Sequence, residues 1–384
     1  MPQRPVIAVT VSTANRYHRA IYRGVTDYAR IPPRAFEVRM VPLKSLRSIH
    51  PAPDGIIAHL NTPRLVEEAR SLGIPVVNNS RRIDNTGLPT VISDDVAAGR
   101  LAAEHLLGCG FRDFAFYGRE GIPFSIARSK GFVDAVEASG LHCDLYLRKQ
   151  NTPGRPGQPE RRRVQGWLAA LPKPVGVLAF TDWCAMDLYD ACAKLGLRVR
   201  EDVAIVGVDN DEFVCESCDP SLSSVDNRPE RIGYEAAALL MRLLRGKASQ
   251  PRPILIPPLG VVQRQSTDVF AGRDPHVATA LHFIRDHADR ALEVKEVLSH
   301  VPLSRRILER RFRAQLGRSI LEEVHRHRVE RIKHLLTTTD HSIGEIAVAC
   351  GFENPSYIAT LFCKKTGVTP WAYRRQHQNR RLQQ

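Results

Sequence analysis

Apolar residues recur in two different rhythms along this chain, and the change from one to the other restricts it to two kinds of architecture joined end to end. Up to about Ser266, short runs rich in β-branched residues (VIAVTVS, DGIIAHL, PVVNNS, FAFYG, VGVLAFT and VAIVGVDN) are bounded by Gly, Pro or Asp and separated by amphipathic stretches. That alternation marks βαβ units around buried parallel strands. The intervening helices are read as Asp95 to Leu107, Arg128 to Ser139, Cys184 to Leu195 and Pro229 to Leu244. After VFAGRDPH the β pattern stops and every later segment has helical period. The boundary is expected between Phe270 and Pro275, giving domains 1–270 and 271–384. The polar, Pro/Gly-rich and basic segment from Asn151 to Arg163 reads as an exposed loop before a short helix ending near Leu171.

Charge adds a direction. Lys and Arg outnumber Asp and Glu by 55 to 41. From Asp274 onward the chain holds 19 basic against 12 acidic residues, half of the whole surplus of fourteen. A polyanionic partner would therefore meet the helical end. The apolar run near the N-terminus is too short to span a bilayer and no small-residue cleavage site follows, so a cytoplasmic protein without a membrane partner is expected. Eight scattered cysteines fit reduced thiols. Cys215 and Cys218 make one CxxC, but no second Cys or His pair stands at ligand spacing, so no metal and no cofactor are expected.

Within the helical end, EVKEVLSHVPLSRRILERRFRAQL reads as helix, turn, helix, broken at Val301-Pro302 with Ser304 placed to cap the second helix. On a wheel of 100° per residue, Leu308, Phe312 and Leu316 share one arc, while Arg306, Glu309, Arg310 and Arg313 share its neighbour beside Arg305. Arginine forks pair with guanine edges and a glutamate accepts from cytosine, so the second arc suits a DNA major groove. The competing reading is a solvated helix with Glu309 tied to Arg305 or Arg313. A second copy follows in SIGEIAVACGFENPSYIATLFCKKTG. Here Ile358, Leu361 and Phe362 face inward, and Ser356, Ala359, Thr360 and Cys363 form the open arc with Lys364 at its edge. The two units, about 293–316 and 342–366, are joined by one helical stretch from Ile320 to Leu336. Such a connector can hold two helices near successive major grooves.

The run Ile343, Glu345, Ile346, Ala347, Gly351, Phe352, Pro355, Ser356, Tyr357, Phe362, Lys364, Gly367, Thr369, Pro370, Tyr373 and Arg374 resembles the signature of the AraC family of transcription regulators. SRRILERRFRAQLG resembles that family's first recognition helix, and RVERIKHLL its connector. The resemblance implies double-stranded DNA as partner. It assigns reading to Arg306, Glu309 and Arg310 in the first helix and to Ser356 and Thr360 in the second. The second face is small and nearly uncharged, so it is expected to position through Lys364 more than to discriminate bases.

In the α/β part, polar groups placed directly after strands mark the ligand end of a sheet. Asp94, Asp182 and Asp209 each follow an apolar run. With Arg128 and the rings of Phe124 and Trp183 they suit a monosaccharide, which offers hydroxyl donors and an apolar face. Each aspartate also reads as a helix N-cap. FSIARSKGF, FTDWCAMDL, GVDND and LSSVDN resemble the LacI-type effector domain, which is itself similar to periplasmic sugar-binding proteins. That resemblance implies an α/β two-lobed periplasmic-binding-protein-like sensor domain ahead of an all-α double helix-turn-helix domain. Lobe one would take residues 1 to about 117 and a segment near 225 to 262. No helix-turn-helix of the LacI kind precedes Val6, so DNA contact is expected from the C-terminal end. The order, sensor first and reader last, resembles that of the xylose-operon regulators and implies D-xylose or a related pentose as effector. LacI-like sensors commonly pair, which implies a homodimer. Two other classes share parts of the pattern: an exported solute-binding protein, and a sugar-acting enzyme using paired aspartates. The first has no use for the basic helical end, and the second lacks any GxSxG, P-loop, HExxH or GxGxxG, so no enzymatic activity is expected.

Overall fold

The computed structural model describes residues 4–11, 16–31, 36–42, 45–149, 157–247, 252–268, 274–287, 290, 292–352 and 355–377. The chain divides into two compact units, residues 1–107 with 112–268, and residues 269–384 with 108–111.

The first unit is built on two main sheets. One is wholly parallel and has the order β2-β1-β3-β4, from β1 (Val6–Val11), β2 (Glu37–Pro42), β3 (Gly55–Ala58) and β4 (Val76–Asn78). Helices α1 (Arg16–Ala29) and α2 (Pro63–Ser71) connect these strands, and Thr62 caps α2 by accepting from Leu65 N at 3.3 Å. Next come β5 (Val91–Ser93) and α3 (Asp95–Gly108). The second sheet draws on β6 (Asp113–Arg119), β7 (Cys143–Arg148), β8 (Val175–Ala179), β9 (Val203–Val208) and β10 (Ser223–Asp226). Between them run α4 (Pro123–Glu137), α5 (Gln158–Ala170), α6 (Asp182–Leu195) and α7 (Glu212–Ser217). After β10 the chain forms α8 (Pro229–Leu244), then β11 (Ile254–Ile256), which pairs with β5, and β12 (Gly260–Val262), which closes the second sheet antiparallel to β10. The strand cores are apolar and sealed, as β3, β8 and β9 are throughout.

The chain passes between the sheets at three places: between β5 and α3, between β10 and α8, and between β11 and β12. The first crossing comes about two dozen residues earlier than expected, because β6 lies entirely in the second sheet. β12 likewise belongs to the second lobe. The edge strands β2 and β7 carry no apolar run: each has one face in water, so EVRMVP and CDLYLR alternate instead. Helix α5 starts at Gln158, which places Arg161 to Arg163 on a helix; residues 151–156 of the expected loop lie outside the described residues.

Two helix crossings depend on glycine. A Cβ on Gly24 of α1 would lie 1.8 Å from Glu230 O, and one on Gly233 of α8 would lie 2.0 Å from Ile21 O. The same reciprocal arrangement joins α3 to α4, where Gly99 faces Arg128 O and Gly131 faces Val96 O. Backbone meets backbone at both crossings, so no side chain can move aside.

The second unit is helical among its described residues. Its elements are α9 (Pro275–Asp286), α10 (Val294–Ser299), α11 (Arg305–Leu316), α12 (Ile320–Thr338), α13 (Ile343–Ala349), α14 (Pro355–Thr366) and α15 (Pro370–His377). Val277, Leu281, Leu308, Phe312, Ile320 and Val324 fill one core. Val329, Ile332, Leu336, Ile346, Ile358 and Phe362 fill the other. Helix α12 thus gives its first half to one helix-turn-helix and its second half to the next. Ser319 and Ser342 close capping boxes with Glu322 and Glu345. Ser304 occupies the N-cap position of α11, but its side chain makes no capping bond.

The α1–α8 crossing gives a direct test. Alanine adds roughly 1 kcal/mol of helix propensity over glycine, yet Gly24→Ala should destabilise the protein by about 1–3 kcal/mol through overpacking. The urea midpoint reads this; an unchanged or raised midpoint would mean that the two helices have room to part.

Candidate functional site

A cavity of about 530 Å³ opens in the first unit. Most of its polar lining comes from residues at or just beyond the carboxyl ends of strands: His59 after β3, Asn79 after β4, Arg119 on β6, Arg148 on β7 and Asp209 after β9. The volume is that of a small-molecule site.

Arg128 organises the floor. It is 4% exposed on α4. Its Nε donates to Asp95 Oδ1 at 2.9 Å, its Nη2 to Asp209 Oδ1 at 3.3 Å, and its Nη1 to the carbonyl oxygen of Phe180. The guanidinium lies 5.1 Å from the centroid of Phe124, which stacks on Phe180 at 5.8 Å. Burial alone would lower the Arg128 pKa, but Asp209 and Asp95 reverse this and hold it up. Burial raises both carboxyls, with Arg128 opposing. Asp209 stands at φ 106, a region that a non-glycine residue seldom enters, and Asn227 Nδ2 donates to its Oδ1 at 3.0 Å. Trp183, nearly half exposed at the start of α6, offers an aromatic face to the same space. Opposite lie His18 and His59, with ring centroids 4.4 Å apart. Burial pushes His59 down to about 3 and His18 also down, so both imidazoles are neutral near pH 7.

Of the six residues expected to bind ligand, Phe124, Arg128, Trp183 and Asp209 line this cavity. Asp94 and Asp182 do not. Asp94 Oδ1 accepts from Ala97 N at 3.0 Å and caps α3, while the next residue, one 100° step around the helix, is the one that reaches Arg128. Asp182 lies beneath the cleft, where its oxygens accept from Ser224 Oγ at 2.5 Å and Asp211 N at 2.7 Å. Burial raises its pKa well above the usual range. A Cβ on Gly207 would lie 2.1 Å from Asp182 Oδ1, so that glycine makes room for the strut. Sequence reasoning passed over His59, Arg119 and Arg148, although the strand-end rule applied to them as well. Cys215 and Cys218 are buried free thiols, and burial pushes Cys218 up to about 11. No group of three or more metal-ligating side chains occurs among the described residues.

In the helical unit, Leu308 and Phe312 of α11 are fully buried. Arg305, Arg306, Arg310 and Arg313 are exposed, and among the described residues their guanidinium groups make no ion pair or hydrogen bond. The salt-bridged alternative with Glu309 is therefore absent. Glu309 itself is half-buried and turned toward the start of α12, with its carboxylate 3.5 Å from Ile320 N. On α14, Thr360 and Lys364 are exposed, while the side chain of Ser356 lies outside the described residues. On the connector, Glu323 is sealed among Arg318, Arg326 (Nη2 at 2.7 Å) and His327 (Nε2 at 3.1 Å). Burial opposes its ionisation, but His327, Arg326 and Arg318 overcome that and hold the carboxyl far below the usual range.

Because the folded pKa of Glu323 is depressed, its stabilisation is complete above the unfolded value and fades as pH falls toward the folded one. Glu323→Gln should cost roughly 2 kcal/mol at neutral pH, read by thermal melts of the helical signal. The gap from the parent should narrow on acidification; a constant gap would assign the loss to packing.

Comparison with known proteins gives this geometry a context. A periplasmic binding protein-like domain model matches residues 103–267, and a helix-turn-helix domain model matches 298–376. The chain is 35% identical over 329 residues to the xylose operon regulatory protein of Haemophilus influenzae, covering 84% of each chain. It is 30% identical to the protein of the same name from Escherichia coli, covering 97% of each. A solved structure of a xylose-binding transcription activator, XylR, aligns with a TM-score of 0.64 at 28% identity, over 98% of this chain and all of that one. The chain belongs to the family of xylose operon regulatory proteins, DNA-binding transcription regulators in which a periplasmic-binding-protein-like sensor precedes an AraC-type helix-turn-helix reader.

Proposed function

We propose that D-xylose, or a closely related pentose, is the effector of this regulator, and that it binds in the cleft above Arg128. The observation that carries this reading is the buried Arg128 held by Asp95 and Asp209, with Phe124 and Trp183 beside it. Oriented charges next to an aromatic face are what a small polyol with one apolar side requires. The names of the relatives narrow the polyol to xylose. Residues 1–270 act as sensor and 271–384 as reader in this account, and the protein works as a cytoplasmic homodimer, since two-fold symmetry matches paired DNA half-sites. We assign it no enzymatic activity: its relatives are transcription regulators, and Asp95, Asp187 and Asp209 of the cleft are all engaged with arginines. Sugar acts by favouring one arrangement of the lobes, and it shifts the DNA-binding state only by its differential affinity for the two.

On DNA, the unpaired arginine face of α11 reads bases, and α14 positions the protein through Lys364 and neighbouring contacts. No helix among the described residues is long and apolar enough to cross a membrane.

A thermal-shift panel of pentoses tests the sensor. D-xylose at a hundred times its dissociation constant should add about 2.7 kcal/mol, and Asp209→Asn should remove most of that gain while tolerating the left-handed backbone. No shift with any pentose would overturn the assignment. For the reader, Arg310→Ala should cost about 1–3 kcal/mol of operator binding and relax preference at one base pair, whereas Lys364→Ala should weaken all sequences alike. Unchanged operator affinity in Arg310→Ala would move the reading role to α14.

A further inference from the structure

Arg128 and its two aspartates stand on the second lobe, yet the first lobe reaches them as well. Arg16 opens α1, and its Nη1 donates to Asp209 O at 3.1 Å across 193 positions of sequence. The two residues belong to different sheets, for β1 precedes α1 in the first and β9 precedes Asp209 in the second. From its own lobe Asp209 is held by other groups: its N donates to Val225 O at 3.0 Å, and its Oδ1 accepts from Arg128 and Asn227. The main-chain carbonyl is what it offers across the cleft. Arg81 repeats the pattern, since it follows β4 and its Nη1 lies 3.8 Å from Asp95 Oδ2. Both aspartates that hold Arg128 are thus met by an arginine from the first lobe. Arg81 also lines the cavity, whereas the half-buried Arg16 does not, so Arg16 separates closure of the lobes from contact with the sugar.

We propose that Arg16 is a positioning residue for the effector: by tying Asp209 to the first lobe it favours the closed cleft and lengthens the stay of the pentose without touching it. This rests on the reading of the cleft as the effector site and adds a determinant of affinity outside the cavity. Arg16 has a stiff base. Ile21 and Val25 of α1 are packed into one core with Ile7 and Val9 of β1, and Gly24 sets the helix backbone to backbone against α8. An arginine fixed in this way follows Asp209 only within the reach of one side chain, so parting the lobes breaks the bond. A cationic donor makes a stronger hydrogen bond than a neutral one. The bond weighs on the balance between open and closed protein, and a sugar held by both lobes gains from whatever favours closure. Arrival of the sugar through an open cleft is indifferent to Arg16. Departure, which requires opening, is not.

Stopped-flow binding of D-xylose to the full chain tests this. In Arg16→Met, which keeps the apolar stem, the dissociation rate constant should rise roughly tenfold while the association rate constant stays within about twofold. Arg16→Lys, which keeps a cationic donor, should recover most of the loss. Hydrogen exchange on the ligand-free protein reads the tie without any sugar. The amides of Asp209, Asn210 and Asp211 are bonded to Val225 O, Ser224 Oγ and Asp182 Oδ2. They should exchange faster in Arg16→Met than in the parent, with the amides of α5 unchanged. An unchanged dissociation rate, or a lysine variant as impaired as the methionine variant, overturns the role of Arg16 and leaves the pentose assignment standing. Unaltered exchange at the three amides overturns the tie whether or not a sugar binds. Absence of binding by every pentose overturns the effector assignment alone.

Discussion

A guanidinium sealed from water has to be neutralised on every side, and Arg128 is sealed to 4% exposure. Its partners set the geometry of the sensor. Asp95 is the first residue of α3, immediately after the chain crosses between lobes. Asp209 directly follows β9 in a strained conformation and is bonded in turn by Asn227, which lies in the second crossing. Phe180 directly follows β8 and carries Phe124 on its ring. One buried charge thus ties two strand ends and two crossing segments together. The glycine contact between α3 and α4 is what lets Asp95 come near enough to take part.

The sequence showed the architecture more readily than the registers. Sealed strands such as VGVLA and VAIVGV announce themselves because both faces are apolar, whereas β2 and β7 at the sheet edges do not. Phe124, Arg128, Trp183 and Asp209 were legible through strand ends and family motifs. Asp94 and Asp95 differ by a single helical step, and no periodicity tells which of two adjacent carboxylates turns inward. Asp182 obeyed the strand-end rule and still went beneath the floor, because Ser224 and the Asp211 amide offered it closer partners. Glycines 24, 99, 131 and 233 look like ordinary helix-weakening residues until a second backbone is placed against them.

The helical unit solves a different problem, that of holding two small helical cores on one rod. Helix α12 has 19 residues and so a length of roughly 28 Å. Successive major grooves on one DNA face repeat at roughly 34 Å. Rigidity comes from its two apolar halves, from the capping box at Ser319 and from the Glu323 cluster near its start. Arginine usage on neighbouring elements divides accordingly: Arg318 and Arg326 are tied to Glu323, whereas Arg305, Arg306, Arg310 and Arg313 on α11 are exposed and make no ion pair among the described residues.

The three crossings between the lobes are also bonded to one another. Asp94 N donates to Ile256 O at 2.9 Å, and Leu259 N donates to Asp226 O at 2.8 Å. Three separate flexible linkers would let the lobes slide, twist and tilt independently. Laced together by backbone hydrogen bonds, they cannot shift one at a time, so any relative motion of the lobes that keeps these bonds has to carry all three crossings together.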